Sequence, residues 1–253
     1  MGLVNPAPAG PQLVPLKSKW CGPADLDSAD VEVGCFCGDA GAYVLKKNNP
    51  DATTPHNEWL CSSIAQICGI PQIEFNLVED DTGEIWFGSK WKEGKIPSWW
   101  LLAQNGQINF SDLSTDISKI YALDLFINNP DRHLDNYMVV KNGASHAIFA
   151  FDYSRAWLHG GFPPAGLPAG NTVNWKNWFK ANFPGYFNPG AANGILDMLS
   201  QINSAQITGI IGRHPNNWLS QPELDAIIAW WDGGGAAARV TQIRDGIADG
   251  TLT

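Results

Sequence analysis

The stretch Asn129-Pro130-Asp131-Arg132-His133-Leu134-Asp135-Asn136 gathers a carboxylate, an imidazole and an amide on one short loop. Asp131 can accept or orient a hydroxyl proton. Asn136 offers a carbonyl oxygen to a hard cation. Further on, Phe151-Asp152-Tyr153-Ser154 places a second carboxylate just after an apolar run. Mg²⁺ takes few protein oxygens and fills its octahedron with waters and phosphate oxygens, so Asn136 and Asp152 together match its demand. Asp131 carries no cation in this scheme and stays available to a hydroxyl.

Such residues work only if elements bring them together. The preceding segment, Asp112 to Ile127, is apolar at Leu113, Ile117, Ile120, Tyr121 and much of 123–127. It predicts a helix that Asn128-Asn129-Pro130 stops. Two short strands follow, Tyr137 to Val140 and Ala147 to Phe151, so the loop and Asp152 flank a hairpin. The first third predicts strands. Val31, Val33, Cys35 and Cys37 alternate with other residues, Gly38-Asp39-Ala40-Gly41 reads as a turn, and Ala42 to Lys46 as the partner. Thr54-Pro55 opens a helix over His56 to Cys68, which Gly69 ends. Strands are predicted at Pro71 to Val78 and Glu84 to Phe87. Polar sequence from Ser89 to Pro97 marks a boundary between an N-lobe, residues 1–95, and a C-lobe, residues 96–253. After an uncharged loop, Leu158 to Val173, come helices at Trp175–Ala181, Ala191–Gln201, Ala205–Ile211, Pro222–Trp231 and Arg239–Ala248. Strands first and helices later give an α+β chain in two lobes.

Composition narrows the function. The chain has 253 residues, 44% of them hydrophobic and 16% charged, and a formal net charge of -9. That charge disfavours broad nucleic-acid binding, which needs clustered cations, and docking on anionic lipid. No run approaches the ~20 apolar residues of a membrane span, and the Pro-rich start lacks the basic and apolar regions of a secretory signal. Five cysteines without framework spacing predict reduced thiols and a cytoplasmic location. Cys35-x-Cys37 has no second pair at zinc-site spacing. The twelve Trp residues predict an aromatic core, with Trp99-Trp100 and Trp230-Trp231 at lobe or helix contacts.

Asp131-Arg132-His133-x-x-Asn136 followed by Asp152 resembles the catalytic and metal loops of HipA-like kinases. The same order occurs in phosphoinositide 3- and 4-kinases. Upstream, Ala42-Tyr43-Val44-Leu45-Lys46 is similar to the strand that carries the family's ATP lysine. Asn57-Glu58 with Cys61, Ile64, Ala65 and Gly69-Ile70-Pro71 resembles its N-lobe helix and exit turn. Phe87-Gly88-Ser89-Lys90 recurs after the next hairpin, and His214-Pro215-Asn216-Asn217-Trp218 resembles the family's Ile-Pro-x-x-Trp, with His214 in place of the aliphatic residue. The match spans about Trp20 to Arg244.

The resemblance implies a bilobal protein-kinase-like fold using ATP and Mg²⁺. Asp131, Asn136, Asp152 and His133 would form the catalytic set, with Asn136 and Asp152 on the metal and His133 on the loop backbone or nearby acids. Lys46 would hold the α/β-phosphates, and Glu58 would pair with Lys46. The phosphate loop would lie near Cys21 to Asp30, which brings Gly22 and Ser28 to the nucleotide. This stretch is not a GxGxxG pattern and carries Asp25, Asp27 and Asp30. Ser28 is a candidate for self-phosphorylation, where added charge beside those acids would eject the loop. Tyr153-Ser154 stands where protein kinases carry Phe-Gly. The activity implied is transfer to Ser/Thr of a protein, with an antitoxin as a partner. Two other classes stay open: a lipid or small-molecule kinase, and a nucleotide-binding pseudokinase that serves as an interaction module.

Overall fold

The computed structural model describes residues 14–23, 33–46 and 54–253. Its first part is a six-stranded sheet of β1 (Leu16–Lys17), β2 (Trp20–Pro23), β3 (Val33–Phe36), β4 (Ala42–Lys46), β5 (Phe75–Glu79) and β6 (Ile85–Lys90), in the order β1-β5-β6-β4-β3-β2. Every pairing is antiparallel except β1 with β5. The alternation around Cys35 gives β3, and Gly38 and Gly41, both at positive φ, turn the chain into β4. Only glycine adopts such backbone without steric cost.

Helix α1 (Thr54–Ile67) follows. Its apolar residues Leu60, Ile64, Ile67 and Cys68 alone would bury one stripe of it. The structure instead buries every residue from Thr54 to Ala65, including His56, Asn57 and Glu58. A helix covered all round must find partners for its polar groups. Gly69, at φ +62, ends it, and the Ile70 amide donates back to the Ala65 carbonyl. That pattern is a glycine-terminated C-cap.

The second part holds α2 (Trp99–Gln104), α3 (Ser111–Phe126), the hairpin β7 (Tyr137–Asn142) and β8 (Ser145–Ala150), and five further helices: α4 (Asn171–Asn182), α5 (Pro189–Leu199), α6 (Ser204–Ile211), α7 (Gln221–Asp232) and α8 (Gly235–Ala248). Helix α2 was not expected, and α4 starts inside the predicted loop. Both starts follow backbone in the positive-φ region, Ser98 and Gly170, which periodicity does not reveal. The mixed α+β architecture is as expected, a curled, largely antiparallel sheet followed by helices.

The two parts share one core. Trp59, Leu60 and Ile64 of α1 and Phe87 of β6 join the same buried cluster as Leu123 of α3, Ile211 of α6 and Trp231 of α7. A smaller cluster, Cys35, Cys37, Tyr43, Leu45, Val78 and Trp86, lies within the sheet. The exit from α1 is stitched to the hairpin: the Ala150 amide donates to Pro71, and the Ile73 amide to Ala150. Trp99 packs on Tyr137 and Phe179, and Trp230 and Trp231 pack around Trp157.

One expectation is corrected. Cys21 and Cys35 are joined in a disulfide, while Cys37, Cys61 and Cys68 are free and buried. The β2–β3 register sets Cys21 directly opposite Cys35. An odd cysteine count hides a cross-strand pair whose residues become neighbours only after the strands align. Among the described residues, no helix is long and apolar enough to cross a membrane.

Candidate active site

The loop after α3 is held from behind by a buried ion pair. Asp124, in the last turns of α3, receives Arg132 Nε at 2.9 Å and NH2 at 3.1 Å. Arg132 NH1 donates to the Asn136 carbonyl at 2.9 Å and also to the Phe151 carbonyl. Asn129 Nδ2 donates to Asp124 at 2.9 Å. The guanidinium lies 4.9 Å from the Tyr153 ring centroid and 5.5 Å from that of Tyr137. Asp124 and Arg132 are 0% and 1% exposed. One planar cation with five donors thus ties the helix, the loop and both ends of the hairpin. Sequence reasoning gave Arg132 and Asp124 no role. The signal was present: an aspartate inside Leu123-Asp124-Leu125 is a charge in an apolar helix, and a buried charge requires a partner.

The hairpin brings together Asn136 and Asp152, the pair expected to bind a cation. Tyr137 pairs with Ala150, and the Phe151 amide donates to the Asn136 carbonyl at 3.3 Å, so Asp152 starts beside Asn136. Asn136 Nδ2 donates to the Asp131 carbonyl at 2.9 Å, which reserves its Oδ1. Asp152 has φ +65, a left-handed conformation that Asp tolerates better than most residues. Ser154 Oγ caps its Oδ1 at 2.7 Å. No described hydrogen bond uses Asn136 Oδ1 or Asp152 Oδ2, so two oxygens of the type Mg²⁺ prefers stay uncommitted. The residues present therefore fit a hexacoordinate hard cation that also holds phosphate oxygens.

Lys46 reaches this point from β4. Its Nζ lies 2.6 Å from Glu58 Oε1 and 2.8 Å from Asp152 Oδ1. Glu58 Oε1 also accepts the Tyr153 amide at 3.0 Å, and Asn57 Nδ2 donates to the Ser154 carbonyl at 3.1 Å. Asn57 and Glu58 of α1 thus both bond the segment that carries Asp152. Two carboxylates share one ammonium. Burial alone would raise the Asp152 carboxyl, but Lys46 and Ser154 outweigh it and hold it well below the usual carboxylate range. Burial and the Asp152 charge push Glu58 up to about 7 against the pull of Lys46. Burial disfavours the Lys46 charge, yet its two acidic neighbours prevail and raise it above an ordinary lysine.

Asp131 stands at the loop's leading edge. Its amide donates to Asn129 Oδ1 at 3.1 Å, and its Oδ1 accepts Asn171 Nδ2 at 2.7 Å. His133 is a third exposed and faces Asp135 at 3.8 Å, pointing to a peripheral place rather than the centre of the loop. Gly22 is a strand residue of β2, paired with Gly34, and a side chain there would collide with the Trp20 ring. Ser28 lies outside the described residues. The structure therefore brings Lys46, Glu58 and Asp152 into contact and sets Asn136 beside Asp152 and Asp131.

This architecture has solved counterparts. A Helicobacter pylori proinflammatory kinase, CtkA, superposes with a TM-score of 0.59 at 12% identity, over 90% of this chain and 99% of that one. HipA of Shewanella oneidensis MR-1, solved as a toxin–antitoxin complex with HipB and operator DNA, superposes with a TM-score of 0.50 at 11% identity, over 96% of this chain and 69% of that one. No protein-family model and no curated protein sequence matches the chain. The chain has a kinase-like fold, and its neighbours in structure include the kinase type that its motifs resemble.

Proposed function

We propose that this protein is an ATP-dependent kinase of the HipA-like type that phosphorylates Ser/Thr hydroxyls of a protein. The observation that carries the reading is the contact of Lys46 with both Glu58 and Asp152, made by three separate elements around the Asp131 loop. Lys46, oriented by Glu58, holds the α/β-phosphates. Asn136 and Asp152 would hold Mg²⁺, which would supply positive charge against the phosphates. Asp131 aligns the acceptor hydroxyl. The hydroxyl oxygen bonds to the γ-phosphorus as the bond to the β-phosphate bridging oxygen breaks, ADP leaves, and the hydroxyl proton passes to Asp131. The transition state is loose, so positioning and charge neutralisation supply most of the rate.

An antitoxin partner is part of this proposal, supported by the HipA neighbour's complex with HipB. The Cys21–Cys35 bridge argues against a strictly reducing compartment, so a cytoplasmic location is left out of it. The test is phosphotransfer from labelled ATP with and without Asp152→Ala. Abolished transfer in a folded variant supports the metal assignment, and wild-type turnover overturns it.

A further inference from the structure

Gly170-Asn171-Thr172, where the uncharged loop enters α4, closes directly onto the Asp131 loop. The Thr172 amide donates to the Pro130 carbonyl at 3.2 Å. Thr172 Oγ1 accepts the Arg132 amide at 3.0 Å and donates to the Asn129 carbonyl at 2.6 Å. Gly170, at φ +73, comes so near that a Cβ would sit 2.9 Å from the Pro130 oxygen. These contacts hold backbone. The contact of Asn171 differs in kind, because its Nδ2 grips the Asp131 carboxylate itself at 2.7 Å. It is the one described hydrogen bond to that carboxylate.

We infer that Asn171 is a positioning residue for phosphoryl transfer: it fixes Asp131 Oδ1 and leaves Oδ2 to receive the acceptor hydroxyl. The inference rests on the kinase reading above. An amide suits this task. It donates one directed hydrogen bond and carries no charge, so it fixes the carboxylate's rotation without forming an ion pair with it. Because Asn171 opens α4 at the end of the uncharged 158–170 segment, the aim of Asp131 depends on how that segment is seated. Misplacing a reacting group by about 1 Å can cost ~10²-fold in rate.

The experiment compares wild type, Asn171→Ala, Asn171→Asp and Thr172→Val in phosphotransfer from γ-labelled Mg·ATP. Self-modification and transfer to dephosphorylated casein are both read, together with nucleotide Kd and Tm. Asn171→Ala should lower kcat by ~10²-fold, with KM for ATP, Kd and Tm at wild-type values. Asn171→Asp keeps the side chain's shape but faces one carboxylate with another, so it should lose at least as much kcat as the truncation. A merely structural asparagine would give the reverse order, with Tm and Kd falling alongside kcat. Thr172→Val, which loses the two Oγ1 bonds to the Arg132 amide and the Asn129 carbonyl, should lower Tm. Wild-type kcat in Asn171→Ala would overturn the inference and leave the kinase reading standing. A folded wild type that transfers nothing to either acceptor would overturn the kinase reading and the inference with it.

Discussion

Asp152 and Glu58 share one ammonium, that of Lys46. Lys46→Met would leave buried Glu58 and partly buried Asp152 without their shared cation, which favours protonation of one of them. We expect this variant to lose ATP affinity measurably in calorimetry while remaining folded. Native affinity would remove Lys46 from the nucleotide site. Behind the loop, the Asp124–Arg132 pair is a structural requirement. Asp124→Ala strands a buried guanidinium, and breaking such a pair typically costs about 3–5 kcal/mol, a large share of a domain's ~5–15 kcal/mol margin. Chemical denaturation of Asp124→Ala should show a loss of about that size, and an unchanged midpoint would contradict the strut. The residues of the proposed chemistry were legible because their order along the chain is distinctive. Of the residues that hold them, Asp124 is marked only as a charge in an apolar helix, while Asn171 and Thr172 are not legible, because they lie 40 residues beyond their partners Asp131 and Arg132 and carry no motif.

Legibility of the elements follows the same division. α1, α3 and the β7–β8 hairpin were readable from periodicity and from Gly69 and Pro130, within a few residues at each end. α2 was not, because Trp99 and Ala103 are buried while Leu101 and Gln104 face outward over barely a turn and a half, too short for a period to register. The complete burial of α1 was invisible for another reason. Asn57 and Glu58 look solvent-facing until Ser154 and Tyr153 arrive to bond them. The disulfide is likewise a product of register. It links the strands on either side of the segment expected to hold phosphate, and closing a loop of that length is worth up to about 3 kcal/mol in the chain-entropy account. Reduction should lower Tm, and a Cys21→Ala/Cys35→Ala double variant should match the reduced protein. Equal Tm values with and without reductant would show that the bridge contributes nothing.

Across the whole molecule, the sheet and the helices are joined by α1, and one of its joints titrates. His56 Nδ1 lies 2.8 Å from His214 Nε2, and His214 Nδ1 lies 2.8 Å from the Pro215 carbonyl. The carbonyl can only accept, so His214 Nδ1 carries its proton, its Nε2 accepts, and His56 Nδ1 donates. Both rings are then neutral. Burial holds both below an ordinary histidine, His56 far below and with His214 adding to the effect. The unfolded chain takes up protons near 6.5 that the folded pair refuses, so this joint loses stability as pH falls below about 6.5. His214→Ile removes one of the two groups. Its stability relative to wild type should therefore improve as pH drops from 7 to 5 in parallel denaturant titrations, and a pH-independent difference would refute the account. The central claim is that the Asp131 loop transfers phosphate, and one paired measurement tests it most directly. Wild type and Asp131→Asn are titrated with Mg·ATP by calorimetry and assayed for transfer from labelled ATP. Asp131→Asn keeps the size and the Asn171 contact distance but cannot take the proton. It should bind nucleotide with near-native Kd and transfer about 10²–10⁴-fold more slowly. Full transfer activity in Asp131→Asn would contradict the kinase account.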